Sequence, residues 1–195
     1  ESIALLKATL PKTVKVKTVF AEGSEELCVF SEKALLHQVL INLGTNAYHS
    51  IGEKGVLTVT LESLEFKVGA LEQHPHAKLG RHAILKISDT GCGIAADNLP
   101  RIFDPFFTTK EVGKGTGLGL STVHGIVASA GGFIEVDSSV GVGSCFSVYW
   151  PTVEQVPGFC RINAEEESDP TLPYQLISQG QESKRILLVD DEQPI

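Results

Sequence analysis

The sequence predicts an α/β domain, and three observations carry that prediction. Apolar and polar residues alternate strictly in several short stretches, one long segment repeats its apolar residues at helical spacing, and a glycine-rich stretch opens a second helix. Residues 1–10 (ESIALLKATL) read as the end of a helix that Pro11 stops, because proline pushes the residue before it out of the helical region. From Thr13 to Phe20, Val14 and Val16 alternate with Lys15 and Lys17, the pattern of a half-buried strand. Glu32 to Ile51 is predicted to be helical, since Leu36, Leu40, Leu43 and Ala47 fall on one apolar stripe. Gly55 ends that region, and Leu57, Val59 and Leu61 then alternate with threonines as a strand.

The polar stretch Gly69 to Gly80, with Pro75 inside it, reads as a long hairpin loop, after which Ile84 to Ser88 forms a strand running into Asp89. Between Asp89 and Gly119 glycine is frequent and periodicity is lost, which predicts a long mobile connection of the kind that carries function. A helix from about Leu118 to Ala130 is stopped by Gly131-Gly132. The strands Phe133 to Asp137 and Cys145 to Trp150 pair across Gly141–Gly143, and Pro151 ends the sheet. Residues 152–184 are rich in Glu, Gln, Ser and Pro and read as a linker. Arg185 to Glu192 (RILLVDDE) is an apolar strand of the buried type that ends in acids.

A chain of 195 residues that is 42% hydrophobic can build a core. Its net charge of -8 argues against a nucleic-acid partner, which normally requires a basic surface. Apolar runs fall far short of the roughly 20 residues that span a bilayer, so no membrane contact is expected of this segment. Cys28, Cys92, Cys145 and Cys160 are scattered, without the close pairs of a zinc site, and fit thiols in a reducing, cytoplasmic compartment.

Three local patterns carry chemistry. Asn42 and Asn46 lie four residues apart on one side of the long helix, with His49 joining them, at the rim of the apolar stripe. An amide oxygen can bind a hard cation and its NH₂ a phosphate, although an asparagine pair alone is more often a solvated edge. In DTGCGI (Asp89 to Ile94) a strand delivers a carboxylate, and two glycines let the backbone approach a flat ligand. Alone, that is an ordinary Asp-containing turn. In GKGTGLGLS (Gly113 to Ser121) glycines expose N–H groups at a helix N-terminus, a favourable place for anions. The Walker spacing is absent, and no clear strand precedes the cluster as a Rossmann turn requires.

Taken in order, the asparagine helix, DTGCGI, FDPFFTTK (Phe103 to Lys110) and GKGTGLGLS resemble the N box, first glycine box, F box and second glycine box of histidine-kinase catalytic domains. The resemblance covers residues 11–151, is nearest to the nitrogen-regulatory type of sensor kinase, and extends to the wider superfamily of DNA gyrase, heat-shock chaperones and mismatch-repair ATPases. It implies a two-layer α/β sandwich, with a mixed, mostly antiparallel sheet and helices on one face, that holds ATP and Mg²⁺ between sheet, helices and a lid. Carried over residue by residue, it makes Asp89 the adenine reader and gives Gly91, Gly93 and Ile94 the adenine pocket. Asn46 becomes the Mg²⁺ ligand, with Asn42 supporting the phosphates. Gly115, Thr116, Gly117, Leu118 and Gly119 form the phosphate side of the lid. Lys110 reaches the phosphates, and His49 stands where many members carry Lys or Arg. Phe103, Phe106 and Phe107 anchor the lid to the core.

The family transfers phosphoryl to a histidine on a preceding dimerisation domain. None of the six histidines (His37, His49, His74, His76, His82, His124) has that context, so no catalytic residue is assigned within the chain and the acceptor is expected outside it. Residues 1–10 resemble the tail of that dimerisation domain. RILLVDDE, with Asp190 and Asp191 as an acidic pair, resembles the first strand of a receiver domain occupying 185–195, which implies a hybrid kinase. The parent is expected to be a homodimer with its catalytic part in the cytoplasm, whether or not it is membrane-anchored. Gyrase-like and chaperone-like ATPases, and serine-kinase anti-sigma factors, carry a glutamate base where this chain has Asn42. A non-enzymic scaffold is disfavoured by four intact boxes.

Overall fold

The computed structural model describes residues 2–11, 13–70, 72, 74–110 and 115–153, and the backbone of 186–187. Helix α1 (Ser2–Thr9) leads into β1 (Val14–Phe20), a two-residue strand β2 (Cys28–Val29), and the long helix α2 (Lys33–Ile51). Then come β3 (Gly55–Phe66), β4 (Gly80–Asp89), α3 (Gly119–Ser129), β5 (Phe133–Ser139), β6 (Gly143–Pro151) and β7 (Ile186–Leu187). Five of the strands form one sheet in the order β1-β3-β4-β6-β5. Only β1 and β3 run parallel, Val14 opposite Gly55, while the other neighbours are antiparallel. Parallel neighbours need a crossover, and α2 supplies it. The expected mixed, mostly antiparallel sheet is therefore present.

All four residues of the predicted α2 stripe are buried, together with Val39, Gly44 and Ile51. They meet Leu57, Val59 and Leu61 of β3, Leu85 and Ile87 of β4, and Val123, Ile126 and Val127 of α3. Each such side chain contributes about 1.5–3 kcal/mol when fully buried. Leu6 of α1 is 0% exposed, and a Cβ on Gly44 would come within 2.4 Å of its Cδ1. The glycine thus forms the notch that admits α1.

Strand β4 is buried from His82 to Leu85, on both faces, because the sheet has a second small core. There Phe66, Ile84 and Tyr149 pack with Phe133, and Ala70 and Ala77 of the β3–β4 hairpin loop cover them. His74 of that loop lies 2.6 Å from Glu135, which also accepts a bond from the Tyr149 hydroxyl at 2.9 Å. The loop predicted between Gly69 and Gly80 is therefore a roof over part of the face opposite the helices. His82 belongs to the core.

The predicted long connection after Asp89 has more structure than its sequence indicates. Successive i to i+3 bonds link Asn98 to Ala95, Arg101 to Asn98, Asp104 to Arg101 and Phe107 to Asp104, with a 3-10 turn at Leu99–Arg101. Ile102 is buried, and Ile94, Leu99, Phe103 and Phe107 pack on the main core. Apolar residues spaced by tight turns have no helical or strand period, which hides such a segment from a periodicity search. Residues 111–114, and the predicted linker from 154 to 184, lie outside the described residues. So do Cys160 and the acidic pair Asp190 and Asp191. The backbone of β7 pairs antiparallel with β2. Among the described residues no helix is long and apolar enough to cross a membrane.

Candidate functional site

One edge of α2 organises the site. Asn42, Asn46 and Ser50 stand at i, i+4 and i+8, on the same face of the helix. At one end Asn42 Nδ2 donates to the carbonyl of Gly119, the first residue of α3, over 3.4 Å. A Cβ on Gly119 would stand 3.8 Å from Asn46 Nδ2 and 4.0 Å from Asn42 Cγ, so both amides border the first turn of α3. That turn begins at Leu118, which has no polar side chain to cap the helix. The hydroxyls of Ser121 and Thr122 donate backward to the Leu118 carbonyl, and Thr116 Oγ1 accepts only a long 3.4 Å bond from the Leu118 N–H. The first turn of α3 thus lies beside the asparagines and its N–H groups have no side-chain cap, an arrangement that favours anions.

At the other end of the edge, Ser50 Oγ donates to Asp89 Oδ1 over 3.1 Å, and the Gly91 N–H donates to the same oxygen over 2.8 Å. Asp89 is the last residue of β4, opposite Leu57 of β3 and Ser144 of β6, and only 7% exposed. Burial raises its pKa above the ordinary carboxylate value, while donors from Gly91, Ser50 and the Ser144 backbone pull it back. A Cβ on Gly91 would come within 2.1 Å of Ser50 Oγ and 2.4 Å of the Ser50 carbonyl carbon, so only glycine lets this loop close on α2. Beyond it, the Cys92 N–H donates to the Ser50 carbonyl over 3.0 Å. Gly93 lies against the Ser139 carbonyl, and the Ile94 N–H donates to Ser138 Oγ over 2.8 Å. A strand end, a helix end and a hairpin thus build a carboxylate-bearing wall.

On the third side lies the segment before α3. Gly117 has φ 67° and its carbonyl accepts the Phe106 N–H over 3.0 Å; a Cβ there would meet Phe106 C at 2.4 Å. Phe106 itself has φ 66°, unusual for a bulky residue and of order 1–3 kcal/mol in cost. Its side chain is 73% exposed, which corrects the expectation that it anchors the segment to the core. The contact with Gly117 is made by backbone, and the ring points out. Phe103 and Phe107 do anchor it, the latter under the Arg101 guanidinium at 4.6 Å. Lys110 Nζ lies 3.1 Å from His49 Nδ1 and donates to it when His49 is neutral. Burial, then the lysine charge, lower the His49 pKa, and burial lowers that of Lys110. Gly115 sits beside Lys110 and Thr108.

The structure thus sets Asn42 and Asn46 beside the start of α3, Asp89 and Gly91 against Ser50, and Lys110 against His49, all along α2. Three contributors were missed by sequence reasoning. Ser50 continues the spacing of Asn42 and Asn46, a signal that was present. Ser138 and Ser144 come from β5 and β6, and only pairing in three dimensions brings them to Ile94 and Asp89.

Residues 31–154 match the family of histidine kinase-, DNA gyrase B-, and HSP90-like ATPases, and the chain belongs to that family. Within it, the chain is an ATP-binding catalytic domain of the sensor-histidine-kinase kind. It is 34% identical to sensor kinase CckA of Brucella abortus over 193 residues, covering 98% of this chain and 20% of that protein. With sensor histidine kinase ZraS of Escherichia coli it shares 43% identity over 116 residues, 60% of this chain and 21% of that one. The chain thus spans about a fifth of the length of these relatives. Among solved structures, the catalytic domain of histidine kinase ThkA is 28% identical with a TM-score of 0.59, covering 77% of this chain and 87% of that one. Full-length ShkA in complex with AMPPNP shares the fold at 24% identity and TM-score 0.59, over 79% of this chain and 30% of its own.

Proposed function

We propose that this chain binds Mg²⁺-ATP and donates the γ-phosphoryl group to a histidine on a dimerisation domain outside it, as the catalytic part of a two-component sensor kinase. One observation supports this above the rest: a single helix edge reaches the uncapped start of α3 at Asn42 and Asn46 and the buried Asp89 at Ser50. From Asn42 to Ser50 the edge runs about 12 Å along the axis, enough to set a base apart from its phosphates. In this reading Asp89 accepts from the exocyclic amine of adenine, while Gly91, Gly93 and Ile94 line the pocket. Gly115 to Gly119 present backbone N–H groups to the phosphates, Lys110 adds positive charge, and His49, whose pKa is lowered, accepts from the lysine and positions it. Asn42 has already committed one amide hydrogen to Gly119 and offers the other to phosphate.

The donor set suits Mg²⁺. Among the described residues no group of three or more His, Cys, Asp or Glu side chains is arranged to hold a metal. Asn46 offers a single hard oxygen, and Mg²⁺ commonly takes few protein ligands beside substrate phosphates and water. When bound, the cation supplies neutralisation of phosphate charge. What this chain itself does is hold the base, orient the phosphates and exclude a hydrolytic base, since Asn42 cannot accept a proton from water. That last point separates the reading from gyrase-like ATP hydrolysis. The likeness to the Brucella sensor kinase continues beyond residue 154, in keeping with the receiver reading of 185–195; the same proposal takes the parent as a hybrid, homodimeric kinase acting on the cytoplasmic side.

The test has two arms. The chain should bind ATP more tightly with Mg²⁺ than without, and form no phosphohistidine alone. Adding the parent's separate dimerisation domain should give acid-labile label from γ-labelled ATP, though weakly, because linkage normally supplies an effective concentration near millimolar. Stable label on the isolated chain, or rapid ATP turnover by it, would overturn the proposal.

A further inference from the structure

We infer that Ser50 is a positioning residue for base recognition: its hydroxyl fixes the Asp89 carboxylate and ties it to the helix edge that faces the phosphates. The inference rests on the reading of Asp89 as the base-contacting carboxylate. Two donors, Ser50 Oγ at 3.1 Å and the Gly91 N–H at 2.8 Å, converge on the same oxygen, Oδ1. Two bonds from different elements to one oxygen set the rotation of the carboxylate as well as its position. Ser50 is itself held at both ends, for its carbonyl accepts the Cys92 N–H over 3.0 Å and Gly91 leaves no space beside its hydroxyl. The serine is thus clamped by the loop whose carboxylate it orients.

Electrostatics give the hydroxyl a further task. Asp89 lies against the last turn of α2, the end where the helix dipole is negative and disfavours a carboxylate. Burial disfavours the charge as well. The facing groups are Ser50 from α2, Leu57 from β3, Ser144 from β6, and Cys92, whose thiol lies 3.7 Å from Ser50 Oγ. Among the described residues, only hydrogen-bond donors offset that burial; no charged side chain does so. Removing the hydroxyl therefore removes part of what keeps Asp89 ionised, while Asn46 and Asn42, one and two turns away, are untouched.

The experiment measures ATP and inorganic triphosphate binding to the 195-residue chain by competition with a fluorescent nucleotide, across acid to neutral pH. Ser50→Ala should weaken ATP about fivefold, the worth of one ordinary hydrogen bond, and leave inorganic triphosphate unchanged. It should also move the acid-side midpoint of ATP binding to higher pH, and add nothing in an Asp89→Asn background. An equal loss for inorganic triphosphate, an unmoved midpoint, or full additivity with Asp89→Asn would overturn the inference. If Asp89→Asn weakens ATP while Ser50→Ala behaves as wild type, the role of Ser50 fails alone. If Asp89→Asn itself binds ATP normally, the base reading fails with it.

Discussion

The two ends of the α2 edge are built differently. Around Asp89 the wall is closed by main chain: Asp89 and Gly91 are buried, and Gly91, Cys92 and Ile94 are tied to Asp89, Ser50 and Ser138 by hydrogen bonds, with Gly93 packed against Ser139. Around the start of α3 the groups are half-buried or exposed, and few protein bonds hold them: a 3.4 Å amide contact, an uncapped helix turn and a lysine leaning on a neutral histidine. The first end is complete before a ligand arrives. The second offers donors and charge whose partners must come from outside the protein, which fits a rigid base and a flexible polyanion.

Glycine substitutions break this comparison most sharply. Gly91→Ala should lower stability by about 2–3 kcal/mol, since the new methyl meets the Ser50 backbone and main chain must move. Gly119→Ala, with its nearest atom at 3.8 Å, should melt no lower than wild type. Equal melting temperatures in the two variants would show that the base end is not the rigid one.

Asp89→Asn should cost about ten- to hundredfold in ATP affinity, the worth of a charge-assisted hydrogen bond, yet leave the melting temperature at neutral pH undiminished. The sign follows from the raised pKa of Asp89. Folding favours its protonated form, so its contribution to stability is present below the unfolded pKa and is lost as pH rises through the folded one. An amine donor favours the ionised form instead. ATP affinity should therefore fall as pH drops through the elevated pKa, and a flat acid limb in a binding titration would contradict this.

Asn46→Ala should weaken ATP roughly tenfold in Mg²⁺ and far less in a chelator; equal losses in both would make Asn46 structural. Smallest is Lys110→Met, expected to cost about two- to fivefold in low salt and to fade at high salt, as exposed ionic contacts do. It should also raise the His49 pKa, because the lysine charge is one of the causes that lower it. Titration of the His49 ring resonances by NMR would measure that shift.

Much of this arrangement was legible in the sequence because its signals are local. The α2 stripe, the β3 alternation and the glycines after Asp89 each reflect a short-range demand, either a repeat that buries one face or a backbone that must turn or approach closely. The glycine at 91 is required by a contact with residue 50, yet its type alone announced a close approach. Phe106 shows the limit. An aromatic in an apolar-looking run is expected to turn inward, and here the positive φ set by its pairing with Gly117 sends the ring to solvent.

By itself, the sequence determined the helices and the five strands of the large sheet, their order, and the residue types able to meet a base, a phosphate and a hard cation. Tertiary structure alone decided that β1 lies parallel to β3 at one edge, that the hairpin loop roofs a second core, and that Ser138 and Ser144 bond Ile94 and Asp89. It also decided that Ser50 and Asp89, thirty-nine positions apart, share a proton donor and acceptor. The physical reason is separation along the chain: periodicity and backbone preference act over a few residues, whereas a hydrogen bond between distant segments exists only after packing has placed them within about 3 Å.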